Sequence, residues 1–349
     1  MSLQSSNFQL PTPEKSAQRI FLTGSSGFIG SHFLKAALEA GHEVVALRYP
    51  GTQPVIPIPE SDRLTWIDGD LNSFLPARAE QEEDRRLEIE DPQSGGDRRP
   101  EIEDANTPTS QLPSSNSCAS AAISQLPSPI SCGEAALVHM AAYGVSPQPC
   151  TLEKAFQINV TDSLLLVERA INAGISRLFL CGTCMEYGRN AENLEFIPAN
   201  TAFAPVGAYA ASKAAQSMAI AALCQERNIP LTILRLFSVY GEGQHPDNFW
   251  PSLRRAALGG DDFPMSPGEQ IRDFIPVEQV AQAFLKALEL PPSALRSPLV
   301  ANVGTGHPQT LLGFAEHWWK KRGATGKLLP SALPYRDSEV MRYVPEVKS

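Results

Sequence analysis

The fold is decided by one stretch near the start of the chain, RIFLTGSSGFIG at residues 19–30. Its apolar first half is typical of a buried strand, and its glycines at positions 24, 27 and 30 follow at three-residue spacing. The next residues, 31–40, carry apolar side chains on one helical face. A strand, a glycine-rich turn and a helix in this order predict a dinucleotide site, because such a turn brings the backbone and a helix N-terminus to a pyrophosphate. A glycine-rich turn without a ligand is the alternative.

The composition is that of a globular protein with a sizeable core. The chain has 349 residues, of which 42% are hydrophobic and 19% charged. No apolar run approaches the length of a membrane span, and residues 1–15 lack the apolar centre of a signal peptide. The six cysteines are scattered, which predicts a reducing, cytoplasmic location without a disulfide framework, and the histidines show no metal-ligand spacing.

Most of the net charge of −9 belongs to one segment. Residues 78–104 contain 11 carboxylates and 5 arginines, a net of −6, so the remainder carries only about −3. No basic stripe suggests a nucleic-acid partner. The acidic segment lies in a stretch, about 77–132, that is rich in Pro, Ser and acidic residues and contains two imperfect duplications. We expect this stretch to be a disordered surface insertion.

The second strand pattern, residues 42–48, ends in a residue that bears on the cofactor. NAD-binding folds usually place an acidic residue there, for the ribose 2′-hydroxyl. This chain has Arg48, and no carboxylate follows in the loop before Glu60. Because a guanidinium suits a 2′-phosphate, the sequence predicts NADP, with NAD as the alternative if Arg48 is an ordinary surface arginine.

Strand and helix patterns alternate through the rest of the chain. Strands are predicted at 64–71, 135–142, 177–181 and 231–236, and helices at 159–170 and about 208–227. This alternation predicts an α/β protein with a Rossmann-like, doubly wound parallel sheet.

Tyr209 and Lys213 stand four residues apart, on one face of a predicted helix. A neighbouring cation lowers the pKa of a phenol, which makes Tyr209 a candidate proton donor or acceptor at an alcohol or ketone carbon. That reaction is the one a nicotinamide cofactor supports. Upstream, Thr183 offers a hydroxyl that can hold the substrate oxygen. A solvated helix face is the alternative interpretation of the Tyr–Lys pair.

Taken together, these segments resemble the extended short-chain dehydrogenase/reductases, in particular the NAD-dependent epimerase/dehydratase family that modifies nucleotide sugars. The resemblance covers most of the chain outside the insertion. The matching segments are Thr23–Gly30, Gly69–Leu71, Val138–Ala142, Asn159–Thr161, Thr183–Gly188, Tyr209–Lys213, Arg235–Gly241, Arg272–Val277 and Asn302–Gly306. Their number and order are specific for the family and much less specific for the substrate.

The resemblance implies a role for each matched position. Thr183, Tyr209 and Lys213 would form the catalytic set. The cofactor would be bound by Gly24, Ser26, Gly27, Phe28, Ile29, Arg48, Asp70, Leu71, Ala141 and Ala142, together with Tyr209 and Lys213. The substrate would be contacted by Tyr143, Glu186, Arg272 and Arg336. For Glu186 and for both arginines an ion pair is the alternative, and a homodimer is the family's usual assembly.

Two departures from the family pattern limit the reaction. Dehydratases of the family have an Asp-Glu pair directly after the catalytic Thr, whereas this chain has Cys184-Met185, which cannot do that acid–base work. Glu186 stands where the family usually has Val, as in variants among sugar ketoreductases. The spacing of Cys181 and Cys184 matches a redox motif, but its place at a strand end makes a thioredoxin role improbable.

The sequence also predicts a division into two domains. Residues 17–237 are expected to form the Rossmann domain with the insertion at about 77–132. Residues 238–349 are expected to form mostly a smaller substrate lobe, with about 271–290 returning to the Rossmann domain. Because the family normally continues into a final helix after residue 347, we expect a chain truncated at its C-terminus.

Three functions are compatible with these observations. The leading one is an NADPH-dependent reductase of a nucleotide-activated 4-keto-deoxysugar, favoured by Arg48 and by the missing Asp-Glu pair. The second is a nucleotide-sugar 4-epimerase that retains NAD. The third, of another class, is a non-catalytic NAD(P)-binding regulator, against which the intact Thr183, Tyr209 and Lys213 argue.

Overall fold

The computed structural model describes residues 17–75, 135–145, 150–291, 298–336 and 339–347. The insertion predicted at about 77–132 lies outside the described residues. The main sheet has seven parallel strands in the order β11-β6-β5-β4-β1-β2-β3. These strands are β1 (Arg19–Thr23), β2 (Glu43–Arg48), β3 (Leu64–Asp68), β4 (Ala135–His139), β5 (Arg177–Thr183), β6 (Leu231–Leu236) and β11 (Leu299–Val303). The predicted Rossmann-like, doubly wound fold is confirmed.

The strand order reverses between β1 and β4. From β1 the chain continues outward to β2 and β3, and then returns to the other side of β1 as β4. In open parallel sheets of this kind, ligands bind outside the carboxyl ends of the strands at such a switch point. The glycine-rich turn after β1 and the segment after β4 therefore meet at the predicted dinucleotide site.

Helices cover both faces of the sheet because successive residues of each buried strand point to opposite faces. Ile20 and Leu22 of β1 pack with the first and sixth helices, whereas Phe21 packs with the third and fourth. The helices are α1 (Phe28–Glu39), α2 (Leu152–Phe156), α3 (Ser163–Asn172), α4 (Ala208–Glu226), α5 (Phe249–Gly259), α6 (Val277–Leu288) and α7 (Leu311–Lys321). A π-helical turn, Gln157–Asp162, joins α2 to α3.

A smaller lobe is assembled from the C-terminal third of the chain. Its core packs Leu253 of α5 against Phe263, Met265 and Ala315. Its short strands are β7 (Ser238–Tyr240) with β10 (Phe274–Pro276), β8 (Phe263–Pro264) with β13 (Leu328–Leu329), and β9 (Ile271–Arg272) with β12 (Gln309–Thr310) and β14 (Arg342–Tyr343).

The predicted return to the Rossmann domain, about 271–290, is too short. After α6 the chain also contributes β11, which pairs with β6 at the edge of the main sheet. Its pattern, LVANV, has only one buried residue, Val303. Four of these five residues are apolar, but a run this short does not distinguish a strand from a helix segment, which is why the sequence did not predict it.

Candidate active site

The glycine-rich turn forms a cradle that only glycines allow. Gly24 has a φ of +73°, and a Cβ there would lie 2.7 Å from the backbone nitrogen of Ala141. A Cβ at Gly30 would overlap the carbonyl oxygen of Gly24. Gly27 is the N-cap of α1 and provides no side-chain cap, so the first N–H groups of the helix are left for a ligand. This cradle fits the pyrophosphate of a dinucleotide.

The other predicted cofactor residues surround this turn. The Ser26 hydroxyl accepts a hydrogen bond of 3.1 Å from Thr52, and the Ala141 N–H donates to the Thr23 hydroxyl at 3.3 Å. Asp70 is exposed just after β3, where its Oδ1 accepts the N–H groups of the two residues at 72 and 73. Of the remaining predicted positions, Phe28 and Ile29 begin α1, Leu71 is buried, and Ala142 follows β4.

Arg48 is engaged by a carboxylate on the neighbouring strand. Arg48 and Asp68 are in register at the carboxyl ends of β2 and β3, and the guanidinium donates to both carboxylate oxygens, at 2.6 and 3.2 Å. It also stacks 4.9 Å from the centre of the Trp66 ring. The hydrogen bonds raise the pKa of Arg48 and lower that of Asp68. The guanidinium that the sequence assigned to a 2′-phosphate is thus already paired with a carboxylate.

Tyr209 lies in the first turn of α4, and its environment differs from the predicted one. Burial, followed by the neighbouring Cys181, Glu186 and Cys184, raises the pKa of the Tyr209 phenol above its ordinary value. Lys213 is not among the causes of this shift, so the prediction that Lys213 lowers the pKa of Tyr209 is wrong. The physical reason is that removal from water disfavours the phenolate, and the Lys213 ammonium is directed elsewhere.

Lys213 is buried, and its Nζ donates to the side-chain oxygen of Gln216. The Gln216 amide in turn donates to Ser163 at 2.9 Å and lies 3.2 Å from Nε2 of His139. The other ring nitrogen of His139 is 2.7 Å from the Thr23 hydroxyl. Burial lowers the pKa of Lys213 and, with the Lys213 charge, lowers that of His139 to about 3. Contacts through Gln216 and the uncharged His139 ring thus connect Lys213 on α4 to Thr23 on β1.

Asn159, in the π-helical turn, fixes the segment after β4 to the same helix. Its side chain forms two hydrogen bonds with the backbone of Tyr143, at 2.7 and 2.9 Å, and donates to Ser212 at 2.9 Å. The Tyr143 ring lies 4.9 Å from Nζ of Lys154. Sequence reasoning gave no role to Asn159 or Gln216. A polar residue in an apolar helical stretch was the available signal for both.

Thr183 ends β5, where a short helical turn begins. Its hydroxyl accepts the N–H of Met185 at 3.3 Å, and its own N–H donates to Glu186 Oε1 at 2.8 Å. Glu186 has no exposed surface and pairs with Arg235 at 2.9 Å. The prediction that Glu186 contacts substrate is therefore corrected to the alternative, an ion pair, because its carboxylate is enclosed by protein donors.

Arg272 is also paired, in the smaller lobe. Its Nη2 donates to Glu339 Oε1 at 2.5 Å and to the carbonyl of Val340 at 2.7 Å, and the guanidinium lies 5.3 Å from the Tyr343 ring centre. Arg336 is exposed three residues before Glu339, and its carbonyl accepts the Glu339 N–H at 3.0 Å. Both arginines predicted to bind substrate therefore contact Glu339, Arg272 through its side chain and Arg336 through its backbone carbonyl.

The cysteines beside Thr183 are unsuited to redox chemistry. Burial raises the pKa of Cys181 to about 11 and that of Cys184 to about 12, so both remain thiols at neutral pH. In the described ranges, no group of three or more His, Cys, Asp or Glu residues is placed to hold a metal ion. Within those same residues no helix is long and apolar enough to cross a membrane.

A Rossmann-like sheet with a glycine cradle at its switch point, followed by Thr183, Tyr209 and Lys213, defines an enzyme of the extended short-chain dehydrogenase/reductase class. The sequence model described as "NAD dependent epimerase/dehydratase family" matches residues 20–74 and 114–304, and the chain belongs to that family.

Known proteins resemble the chain over most of its length. A probable UDP-glucuronate 4-epimerase of Rhizobium meliloti is 24% identical over 345 residues, covering 93% of this chain and 87% of the relative. A UDP-N-acetylglucosamine 4-epimerase structure from Methanobrevibacter ruminantium has a TM-score of 0.71 and 20% identity, covering 95% of this chain and 90% of the other. The structure of MoeE5 with UDP-glucuronic acid and NAD has a TM-score of 0.69 at 23% identity, with the same coverage.

Proposed function

We propose that this protein is a nucleotide-sugar 4-epimerase that retains NAD. One observation carries the proposal. Thr183, Tyr209 and Lys213 belong to elements that pack together at the carboxyl edge of the sheet, but the two residues after Thr183 offer no acid–base pair. Cys184 is buried with a raised pKa, and Met185 does not ionise. This site can move a proton at a hydroxyl-bearing carbon, whereas elimination of water needs the acid and base that are missing here.

Each catalytic residue has a defined task in this reaction. Bound NAD supplies reversible hydride transfer at C4 of the sugar. The Tyr209 phenol exchanges a proton with the C4 oxygen, and the Thr183 hydroxyl, which accepts from Met185, keeps its own proton for that oxygen. Lys213 provides the positive charge that is nearest to Tyr209 in sequence on the same helix. Arg272 and Arg336 are assigned to the nucleotide phosphates, and Tyr143 to the sugar.

The cofactor proposal differs from the one that Arg48 alone suggested. Asp68 neutralises the Arg48 guanidinium and places a carboxylate at the same strand ends. A carboxylate repels a 2′-phosphate and accepts a hydrogen bond from a 2′-hydroxyl. This arrangement favours NAD over NADP. The NAD complex among the similar structures supports the same choice.

Reduction of a 4-keto sugar is the second candidate, and Tyr209 favours it. Because burial raises the pKa of its phenol, Tyr209 holds its proton at neutral pH. A protonated phenol is the form that donates to a ketone oxygen. A reductase, however, must release and rebind its cofactor at every turnover, whereas an epimerase regenerates it in place.

We further propose that the protein is a homodimer. One side of α4 presents small or flexible apolar residues at helical spacing, with Met218 62% exposed. Leu152 and Phe156 are exposed on the neighbouring α2. An apolar helix face of this kind is typical of a protein contact. The α4 residues are Ala211, Ala215, Met218 and Ala222. Within the part of the chain that the structure describes, Cys150, Cys181, Cys184 and Cys224 are free thiols, which supports a reducing compartment such as the cytoplasm.

Two measurements on the purified full chain test the main proposal. The nucleotide released by denaturation is identified by chromatography, and UDP-glucose, UDP-glucuronate and their dTDP counterparts are incubated with the enzyme and followed by NMR. We expect tightly held NAD and formation of a 4-epimer without added cofactor. An exchangeable cofactor, together with NADPH oxidation that requires a nucleotide 4-keto sugar, would instead establish the reductase.

A further inference from the structure

Glu186 is the most completely enclosed charged residue next to the catalytic set. It has no exposed surface, and three protein donors surround its carboxylate. Oε1 accepts the Thr183 N–H at 2.8 Å, while Oε2 accepts Nε of Arg235 at 2.9 Å and the Ser217 hydroxyl at 3.0 Å. A buried carboxylate with this many donors is satisfied and has one orientation.

The first of these contacts acts on the catalytic threonine itself. Thr183 and Glu186 form a reciprocal cap, in which each side chain accepts a backbone N–H at the start of the same short turn. Thr183 consequently has an extended backbone, with φ −143° and ψ 147°, and its hydroxyl accepts the Met185 N–H. The cap thus determines where the Thr183 hydroxyl points.

The second contact reaches the helix that carries the other two catalytic residues. Ser217 is on α4, four residues after Lys213, and is almost completely buried. Through one carboxylate, the end of β5 is thus connected to α4. Gly182 provides the room for the carboxylate itself, because a Cβ there would lie 2.8 Å from Glu186 Oε1, the oxygen that accepts from Thr183.

The third contact pairs the negative charge of Glu186 with the positive charge of Arg235. Arg235, on β6, is 5% exposed and also donates to the Tyr187 hydroxyl and the Ala199 carbonyl, at 3.0 and 2.8 Å. The guanidinium is thereby held in one place behind the turn that follows Thr183. The ion pair with Arg235 offsets part of the cost of burying the Glu186 carboxylate beside the catalytic site.

We propose that Glu186 is a positioning residue, which sets the Thr183 hydroxyl relative to Tyr209 and Lys213 because its one carboxylate binds the end of β5, the middle of α4 and β6. This inference rests on the proposed function, since it assigns Thr183 to the substrate oxygen. A misplaced hydroxyl costs transition-state stabilisation more than substrate affinity. Loss of the carboxylate is therefore expected to lower kcat with little change in KM.

Glu186→Gln is the first test. Its amide can accept from only one side, so either Thr183 or Arg235 faces an N–H group instead of an acceptor. We expect kcat to fall about 10- to 100-fold, with KM for the nucleotide sugar and the amount of bound cofactor unchanged. Glu192→Gln is the matched control, because it removes the carboxylate of a more exposed pair, with Arg189, that makes none of these contacts. An unchanged kcat in Glu186→Gln would overturn the proposal.

A double-mutant cycle separates positioning from a general effect on the fold. Thr183→Val removes the hydroxyl and keeps the branched shape and the N–H. If Glu186 acts through that hydroxyl, adding Glu186→Gln to Thr183→Val lowers kcat little further. Independent, multiplicative effects would mean that Glu186 only stabilises the fold. If Glu186→Gln does not fold, Glu186→Asp, which keeps the charge but shortens the reach, replaces it in the cycle.

The same cycle distinguishes the two proposals. If Thr183→Val has wild-type kcat, the role of Thr183 in the proposed function fails, and the inference about Glu186 fails with it. If Thr183→Val is impaired and Glu186→Gln is not, only the positioning role is overturned.

Discussion

Arg272 and Glu339 form a partly buried ion pair, with 2.5 Å between Nη2 and Oε1, although they are 67 residues apart in the chain. The pair joins β9 to the segment just before β14. The Glu339 carboxylate therefore contacts Arg272, the arginine that we assign to binding the nucleotide phosphates. An anionic ligand therefore has to share or displace this partner.

We predict that Glu339→Gln strengthens nucleotide binding. Removal of the competing charge leaves Arg272 more positive, and a partly exposed pair of this kind contributes about 1 kcal/mol, or roughly fivefold in Kd. Titration calorimetry with UDP and with dTDP measures the effect, and Arg272→Gln serves as the contrast, with weaker binding. If Glu339→Gln weakens binding as Arg272→Gln does, Glu339 orients the arginine and does not compete for it.

The cofactor preference is expected to depend on Asp68. In Asp68→Asn the Arg48 guanidinium loses its charged partner and becomes available to a 2′-phosphate. We predict that the ratio of NADP to NAD affinity rises about tenfold, the effect of one added charge-assisted hydrogen bond. Fluorescence titration of cofactor-free protein with NADPH and NADH provides the two affinities. Arg48→Gln in the same background should abolish the gain, and an unchanged ratio would mean that Arg48 does not face the ribose.

His139 makes the stability depend on pH. Burial and the Lys213 charge lower its pKa from the ordinary 6.5 to about 3, so the unfolded chain binds a proton between these values and the folded chain does not. The free energy of unfolding therefore falls as the pH falls below 6.5, by roughly 1.4 kcal/mol per pH unit and about 2 kcal/mol by pH 5.

Urea unfolding at several pH values measures this dependence. In His139→Asn the slope between pH 6.5 and 5 should be smaller than in the wild type, whatever the absolute stability of the variant. The exposed His317 offers the matched control, since His317→Gln should leave the slope unchanged. Parallel slopes for His139→Asn and the wild type would contradict the assigned pKa.

Tyr209→Phe should abolish proton exchange while the cofactor stays bound. The ring is preserved and only the hydroxyl is lost, so we predict a fall in kcat of about 10²- to 10⁴-fold with unchanged cofactor content. NMR of the nucleotide sugar and absorbance of the released nucleotide measure the two quantities. Turnover equal to that of the wild type in this variant would mean that Tyr209 is not the proton-exchanging group, and no turnover in either protein would favour the non-catalytic regulator.

The local patterns of the chain were sufficient for the fold. An apolar strand, three spaced glycines and an amphipathic helix predicted the dinucleotide cradle at 19–30, because turn geometry and helix periodicity depend on neighbours in sequence. The alternation of strands and helices likewise predicted the parallel sheet. The edge strand β11 was missed because a short apolar run such as LVANV does not distinguish a strand from a helix segment.

What the sequence determined by itself is thus the class of cofactor and the identity of Thr183, Tyr209 and Lys213 as candidates, since both follow from residue types at short spacing. The tertiary structure decided which charged side chains have an ion-pair partner and which are available to a ligand. Arg48 meets Asp68, Glu186 meets Arg235, and Arg272 meets Glu339, across separations of 20, 49 and 67 residues. Burial and ion pairing depend on partners that are distant in the chain, and no local pattern specifies them.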